Sequence, residues 1–109
     1  MNVITRTIVV AKDHPSLPGH FPDRPIVPGV VLLDSILTEV LASFPPGTRL
    51  VAIPTVKFRR PVEPDEVVTV RIDVTDRSHT ASVQFAATVD DALVAEGAFA
   101  LSIAPLVEL

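Results

Sequence analysis

The chain has 109 residues, of which 48% are hydrophobic and 20% charged, and its formal net charge is −4. This size and balance predict one globular domain over residues 1–109 and exclude a disordered chain. The acidic charge counts against nucleic acid as the main partner, and the lack of cysteine excludes disulfides and cysteine-bound metal. No apolar run approaches the roughly 20 residues that span a bilayer, and the first residues lack the apolar block of a signal peptide. We therefore expect a cytoplasmic protein.

The first two elements predicted along the chain are a strand over residues 2–11 and a helix over residues 29–43. The helix should end where the sequence FPPG begins, because proline and glycine do not readily continue a helix. It is apolar nearly all round, and at 100° per residue its polar side chains fall on one narrow stripe, formed by Ser35, Glu39 and Ser43. Such a helix has to be enclosed by the rest of the chain.

Four strands are predicted after the helix, over residues 49–60, 66–75, 80–89 and 93–103. The last three alternate apolar with polar residues, and the turn-forming sequences EPDE, DRSH and VDD separate them, so they should be consecutive antiparallel strands. In the first of the four, the apolar alternation shifts across Pro54, which indicates a β-bulge. The pattern predicts an α+β fold in which a long antiparallel sheet curls around one helix.

Residues 14–34 read HPSLPGHFPDRPIVPGVVLLD, with five prolines before an apolar run whose one charge is Asp34. Asp34 lies off the polar stripe and has apolar neighbours one turn away, so we expect its carboxylate to be buried. Burying a carboxylate costs several kcal/mol unless it is paired or hydrogen-bonded. From helix geometry alone, Asp34 could have a structural role, capping a backbone or pairing with an arginine such as Arg24, or a catalytic one.

The same segment contains His20 within the run of prolines. Prolines restrict the backbone, so the segment should hold His20 rigidly, as catalytic geometry requires. Gly29 follows Pro28 and begins the helix, and without a Cβ it would let a ligand approach the free N–H groups there. The partial positive charge of a helix N-terminus favours a developing oxyanion. A base, an acid and an oxyanion site at one helix end suit the removal of a proton α to a carbonyl.

The sequence GHFPDRPIVPGVVLLD resembles the signature of the 3-hydroxyacyl-(acyl carrier protein) dehydratases, the hotdog-fold enzymes of fatty-acid synthesis. The GHFPxxPxxPG core of that signature is intact from Gly19 to Gly29, and the likeness continues through VKFRRPVEPDE and the final VAEGAFALSI. The resemblance implies a hotdog fold, a curved antiparallel sheet wrapped around one central helix. It also implies acyl carrier protein as the partner and a homodimer, possibly a higher oligomer, whose sites are shared between protomers.

Matched to this family, His20 is the catalytic base that removes the C2 proton, and Asp34 is the acid that protonates the leaving hydroxyl. Gly29 supplies the N–H group that binds the thioester carbonyl. The other predicted substrate-binding residues are Phe21, Ile26 and Val30. Aspartate at position 34 resembles the isomerising branch and the short dehydratases of aryl-polyene clusters, whereas the general-elongation branch usually has glutamate. The resemblance favours a short, pathway-specific dehydratase of the aryl-polyene type over the housekeeping enzyme or a dehydratase-isomerase. The resemblance implies a substrate carried on the phosphopantetheine of acyl carrier protein, with no metal or redox cofactor.

A basic cluster, formed by Lys57, Arg59 and Arg60, stands out on this acidic chain. It suits the docking of an acidic carrier protein and its phosphopantetheine phosphate. The alternative is a solvated strand edge. His14 is predicted to be a loop residue and His79 a solvated turn residue, and the spacing of the histidines predicts no metal site.

Two other functions stay open. A hotdog thioesterase would also use a carboxylate on the helix, although it does not need the HFP loop. A non-catalytic subunit that binds the acyl carrier is the alternative without enzyme activity. The intact pair of His20 and Asp34 counts against that alternative.

Overall fold

The computed structural model describes residues 2–12 and 26–104, which form one helix and five strands. In chain order these are β1 (Asn2–Ile8), α1 (Gly29–Leu41), β2 (Arg49–Phe58), β3 (Val68–Arg77), β4 (Thr80–Val89) and β5 (Ala92–Ser102). The predicted α+β class and the five predicted strands are confirmed. Within these two ranges, no helix is long and apolar enough to cross a membrane.

The helix ends at Leu41, two residues before the predicted end. The N–H group of Ser43 bonds to the carbonyl of Val40 at 3.0 Å, and that of Phe44 bonds to the carbonyl of Leu41 at 3.1 Å. These bonds span three residues instead of the four of an α-helix, so the chain tightens as it leaves α1. The two prolines that follow cannot donate the bonds that would continue the helix.

The five strands form one antiparallel sheet in the order β1-β3-β4-β5-β2. The hairpin between β4 and β5 turns at Asp90 and Asp91, whose φ angles are 50° and 66°. Positive φ at both central residues is what a two-residue turn of type I′ requires. Short turns join β3, β4 and β5 into a meander with two outer edges. β1 pairs with β3 and β2 pairs with β5, which makes β1 and β2 the two edge strands.

The edge strand β2 contains the predicted bulge. Its register against β5 shifts between Leu50 and Ala52 and again between Ala52 and Thr55. Pro54 lies inside the second interval and has no N–H group to donate to the ladder. The irregular pairing around Pro54 confirms the bulge.

The core lies between α1 and one face of the sheet. In β3 and β4, buried and exposed residues alternate, so a single face of these strands is apolar and dry. The rings of Phe85 and Phe99 stack there with their centroids 5.1 Å apart. The largest fully buried side chains are Phe99, Ile36, Ile72, Leu101, Val40, Val68, Val70, Val83 and Val94.

The helix is covered by this sheet on one side only. Its buried side chains are Leu32, Ile36 and Val40. An exposed stripe follows the opposite side at intervals of four residues, through Val30, Asp34, Thr38 and Ala42. The predicted polar stripe is only partly exposed instead. The expectation of an enclosed helix is therefore wrong for the single chain, because one sheet can cover only one side of a helix.

The expectation that Asp34 is buried is wrong for the same reason. At 100° per residue, Asp34 lies roughly 160° around the helix from both Leu32 and Ile36. Since these two residues face the sheet, the Asp34 side chain faces away from it and is exposed in this chain. Apolar neighbours one turn away did not imply burial, because Val30, one turn before Asp34, is itself exposed.

The dryness of the sheet's inner face can be tested with one substitution made at two places. Val83 in β4 is 0% exposed, whereas Val3 in β1 is 51% exposed. Val83→Thr places a hydroxyl in the core and should lower the free energy of unfolding by about 1–3 kcal/mol. Val3→Thr makes the same chemical change at a solvent-exposed position and should change the free energy of unfolding little. Urea unfolding of both variants measures the difference, and equal losses would contradict the assignment of Val83 to the core.

Candidate functional site

A groove of about 590 Å³ lies at the N-terminus of α1. One wall comes from residues 26–29 with Leu32, and the other comes from residues 58–62. The N–H group of Val27 donates to the carbonyl of Val62 at 2.7 Å, which joins the two walls. Both of these valines are buried, so the floor of the groove belongs to the core.

The start of α1 presents hydrogen-bond donors to this groove. Pro28 has the extended φ and ψ angles of −57° and 141°, and its carbonyl accepts bonds from the N–H groups of Val31 and Leu32 at 3.0 and 3.1 Å. The N–H groups of Gly29 and Val30 precede these and have no acceptor inside the helix. Together with the helix dipole, they form a place suited to a carbonyl oxygen that gains negative charge.

The space beside Gly29 is filled by an aromatic ring. A Cβ placed on Gly29 would lie 3.0 Å from Cζ, 3.1 Å from Cε2 and 3.3 Å from Cε1 of Phe58. The sequence predicted that the missing side chain leaves room for a ligand, but on this side the room is taken by Phe58. Gly29 is thus required by close packing, and a ligand has to reach the helix end from the open part of the groove.

The residues of the basic cluster border two different cavities, and Arg59 is connected to both. Arg59 and Arg60 border the groove, whereas Lys57 lines a separate cavity of about 400 Å³ together with Glu96. Glu96 accepts a hydrogen bond from Nε of Arg59 at 2.9 Å, and Nη2 of Arg59 lies 2.8 Å from the same oxygen. Nη1 of Arg60 donates to the carbonyl of Pro61 at 3.1 Å. The charge of Arg59 is therefore shared with Glu96, and Arg60 presents its charge at the groove.

The predicted site residues in α1 and just before it lie close together but on different surfaces. Ile26 and Gly29 line the groove. Val30 is 73% exposed and begins the exposed stripe, and Asp34 lies one turn further along that stripe. The hydroxyl of Thr38 donates to the backbone carbonyl of Asp34 at 2.8 Å. The carboxylate of Asp34 thus points to the side of α1 that this chain does not cover.

The remaining predictions fall outside the described residues. They concern the catalytic histidine His20, its neighbour Phe21, the loop residue His14 and the alternative partner Arg24. His79 is described, and its exposed position in the turn between β3 and β4 confirms the prediction for it. Within residues 2–12 and 26–104, no three His, Asp or Glu side chains cluster as metal ligands would.

Phe58 borders the candidate groove and was not among the predicted site residues. A signal was present, since the shifted alternation after Pro54 places Phe58 on the same side of β2 as Val56. Nothing local indicates that this side chain meets Gly29, because the two residues are 29 positions apart in the chain. That contact depends on the pairing of β2 with β5 and on the position of α1 across the sheet.

A second cavity of about 710 Å³ lies at the opposite end of α1. Phe44 and Ile103 contribute to its apolar part, and His79 lies at its margin. None of the predicted substrate-binding residues on α1 lines it. The groove at the N-terminus of α1 is therefore the candidate site.

The chain is similar to the 3-hydroxyacyl-[acyl-carrier-protein] dehydratase FabZ of Solibacter usitatus, with 34% identity over 96 residues. The match covers 80% of this chain and 59% of the relative, so the chain spans about three-fifths of that relative's length.

Solved structures share the fold. The dehydratase heterocomplex ApeI:P from Xenorhabdus doucetiae matches with a TM-score of 0.75 and 22% identity, over 92% of this chain and 87% of that one. The fluoroacetyl-CoA thioesterase FlK matches with a TM-score of 0.73 and 16% identity, over 94% of this chain and 85% of that one. At these identities the likeness identifies the hotdog fold and leaves the chemistry open, since two kinds of enzyme share it.

A match to a family model distinguishes between these two kinds of enzyme. The model of the ApeI-like family, described as ApeI dehydratase, matches residues 1–98. The matched range runs from β1 into β5 and contains both walls of the groove, the whole proline-rich segment and Asp34. With its fold and its signature sequence in agreement, this chain belongs to the ApeI-like dehydratase family.

Proposed function

We propose that the protein removes water from a 3-hydroxyacyl thioester carried on acyl carrier protein and forms the trans-2-enoyl thioester. The observation that carries the proposal is the position of Gly29. It is the first residue of α1, it lines an apolar groove, and it ends the GHFPxxPxxPG motif that contains His20. Family membership supports the same reaction, and acyl-chain biosynthesis in the cytoplasm is the setting we propose for it.

In the proposed reaction, the thioester carbonyl accepts a hydrogen bond from the N–H group of Gly29, which makes the C2 proton more acidic. His20 removes that proton, and the electron pair of the broken C–H bond forms the C2–C3 double bond. The C3 hydroxyl leaves as water after Asp34 delivers a proton to it. Each step is a proton transfer or an elimination, so we propose that no metal or redox cofactor takes part.

The first test concerns Asp34. Asp34→Asn keeps the size of the side chain but cannot deliver the proton, so the turnover of a 3-hydroxyacyl carrier should fall roughly 10²- to 10⁴-fold. Mass spectrometry of the carrier-bound product measures it, with Thr38→Ser on the same exposed stripe as the matched control. Incubation with a chelator should leave the wild-type rate unchanged. Near-wild-type turnover by the Asn variant would contradict the catalytic role of Asp34.

We propose further that two protomers complete each site. The exposed stripe of α1 carries Asp34, and the free edge of β2 carries Val51 and Ile53, which are 66% and 39% exposed. A second protomer that continued the sheet along β2 would cover this edge and these side chains. It would also lie next to the exposed stripe, so that His20 of one chain can face Asp34 of the other. A homodimer is the smallest assembly of this kind, and a higher oligomer can be built from it.

Subunit mixing tests the shared site. His20→Ala and Asp34→Asn proteins are each expected to be inactive, but a mixed dimer collects both lesions in one site and leaves the other intact. Random exchange makes half of the dimers mixed, so about a quarter of the wild-type turnover should return.

Native mass spectrometry shows whether the subunits have exchanged. Background activity after complete exchange would mean that both residues serve the site of one chain. The Xenorhabdus doucetiae neighbour is a heterocomplex, so a chain that stays monomeric and inactive alone would point to a different protein as its partner.

We propose that the carrier protein docks beside the groove, with Arg60 as the main contact and with Arg59 and Lys57 adding long-range attraction. Arg60 borders the groove and is exposed, whereas Arg59 shares its charge with Glu96 and Lys57 lines a separate cavity. An acidic carrier is attracted to such a place on a chain whose net charge is −4.

Arg60→Gln should raise KM roughly 2- to 5-fold for carrier-linked substrate, the usual effect of one exposed charge, and should flatten its salt dependence. Turnover of the matching pantetheine thioester should not change. Arg71→Gln removes the same charge from an exposed position in β3, near Asp73, and serves as the control. If Arg60→Gln impaired both substrates equally, the damage would lie in the site and not in docking.

The alternative activity is thioester hydrolysis. The thioesterase FlK has the same fold as this chain, so the fold alone does not exclude hydrolysis. A helix carboxylate could serve either reaction. Free thiol is released only by hydrolysis, and the enoyl thioester is formed only by dehydration. Measuring both products from one incubation decides between the two, and carrier binding without either product would identify a non-catalytic subunit.

A further inference from the structure

We propose that Glu96 weakens the docking of acyl carrier protein, because its carboxylate occupies the guanidinium of Arg59 and leaves the contact with the carrier to Arg60. Removing the negative charge of Glu96 should therefore tighten the binding of the carrier. This inference rests on the proposed function, because it takes acyl carrier protein as the partner that docks beside the groove.

The pairing of β2 with β5 places Glu96 among the residues of the basic cluster. Glu96 lies directly opposite Lys57 in the ladder, and both residues line the same cavity. Its Oε2 accepts a hydrogen bond from Nε of Arg59 at 2.9 Å and lies 2.8 Å from Nη2 of the same guanidinium. A negative charge thus lies next to two of the three cations, and the cluster presents less positive charge than its sequence suggests.

The ion pair of Arg59 with Glu96 can be opened by a partner, because it is not buried. The two side chains are 49% and 38% exposed. An exposed ion pair contributes little to stability and is screened by salt. An acidic side chain of the carrier can therefore compete with Glu96 for the guanidinium, but part of the energy of docking is lost in separating the pair.

The wall of the groove does not depend on this pair. The backbone N–H group of Arg59 donates to the carbonyl of Val94 at 2.7 Å, and Phe58 pairs with Ala95. Since Val94 and Ala95 are both fully buried, these backbone contacts anchor the end of β2 to the core. The effect of Glu96 on docking can therefore be measured apart from any effect on the fold.

The experiment removes the charge of Glu96 and keeps the size of its side chain. Wild-type protein and Glu96→Gln are titrated with holo-acyl carrier protein by calorimetry. The kcat and KM values are measured in parallel for the 3-hydroxybutyryl thioester on the carrier and on pantetheine. Asp76→Asn is the matched control, because it changes the net charge by the same amount. Asp76 lies in the row of the sheet that meets β5 at Leu101, five residues or roughly 17 Å from Glu96, which exceeds the Debye length of about 8 Å.

Glu96→Gln should lower both Kd and KM for the carrier roughly 2- to 5-fold, the usual effect of one exposed charge, and should steepen their salt dependence. Asp76→Asn should keep the wild-type values. The KM of the pantetheine thioester should not follow the charge of Glu96, because this substrate brings no acidic surface to Arg59. Unchanged or weaker carrier binding by Glu96→Gln would overturn the inference. An equal change for both substrates would overturn it as well, because the effect would then lie in the site.

A second substitution tests whether Glu96 acts through Arg59. Arg59→Gln is made in the wild type and in Glu96→Gln, and carrier binding is compared in the two backgrounds. Arg59 is released in the Glu96→Gln protein, so its loss should weaken binding there at least about twofold more than in the wild type. Equal losses in both backgrounds would mean that Glu96 repels the carrier by itself, and the role given to Arg59 would be wrong.

The calorimetry separates this inference from the proposed function. If Glu96→Gln binds the carrier more tightly but neither protein dehydrates the substrate, the reaction is misassigned and the role of Glu96 is confirmed. If dehydration proceeds and Glu96→Gln binds the carrier like the wild type, the reaction is right and the role given to Glu96 is wrong. If the carrier binds to neither protein, there is no docking for Glu96 to weaken, and the inference is overturned.

Discussion

The packing of α1 onto one face of the sheet is the interaction on which the rest of this structure depends. Ile36 and Val40 are fully buried in it, with Leu32 beside them, and the inner faces of β3, β4 and β5 supply the other half of the core. This contact fixes the rotation of the helix about its axis. Once that rotation is set, Gly29 has to meet the end of β2, and Asp34 has to face away from the sheet.

A site that lies at a helix end needs a second element to form its other wall. Here it is the end of β2 and the residues after it, which are held to β5 by the backbone bond from Arg59 and to the pre-helical segment by the bond between Val27 and Val62. Because both connections reach buried residues, the groove keeps its shape without help from a ligand. Preorganised donors of this kind act on a developing charge without first having to rearrange.

In the described part of the chain, two surfaces are left uncovered, the edge strand β2 and one side of α1. The bulge around Pro54 makes the pairing of β2 with β5 irregular, and the exposed apolar side chains of β2 are costly to leave in water. The uncovered side of α1 begins with the exposed Val30 and continues to the acid proposed for catalysis. The proposed catalytic acid lies on a surface that a single chain leaves uncovered. We therefore connect the activity of this protein to its oligomeric state.

The sequence by itself was enough to predict the class of fold, the five strands, the single helix, the bulge at Pro54 and the helix start at Gly29. These are local properties: alternation of apolar residues, turn sequences, and proline and glycine at element boundaries are all determined by near neighbours. The family could also be predicted from the sequence, because its signature is a contiguous stretch of residues. The candidate site was predicted in part, since Ile26 and Gly29 line the groove as expected.

Only the tertiary structure decided which side of the helix is covered, and it reversed the expectation for Asp34. An almost wholly apolar helix has several possible buried faces, and the choice depends on which strands cross it and at what angle. Only the tertiary structure revealed that the side-chain space of Gly29 belongs to Phe58 and that Lys57 and Arg60 border different cavities. Such contacts join residues distant in sequence, and strand pairing and sheet position determine them, so no pattern within a short segment contains them.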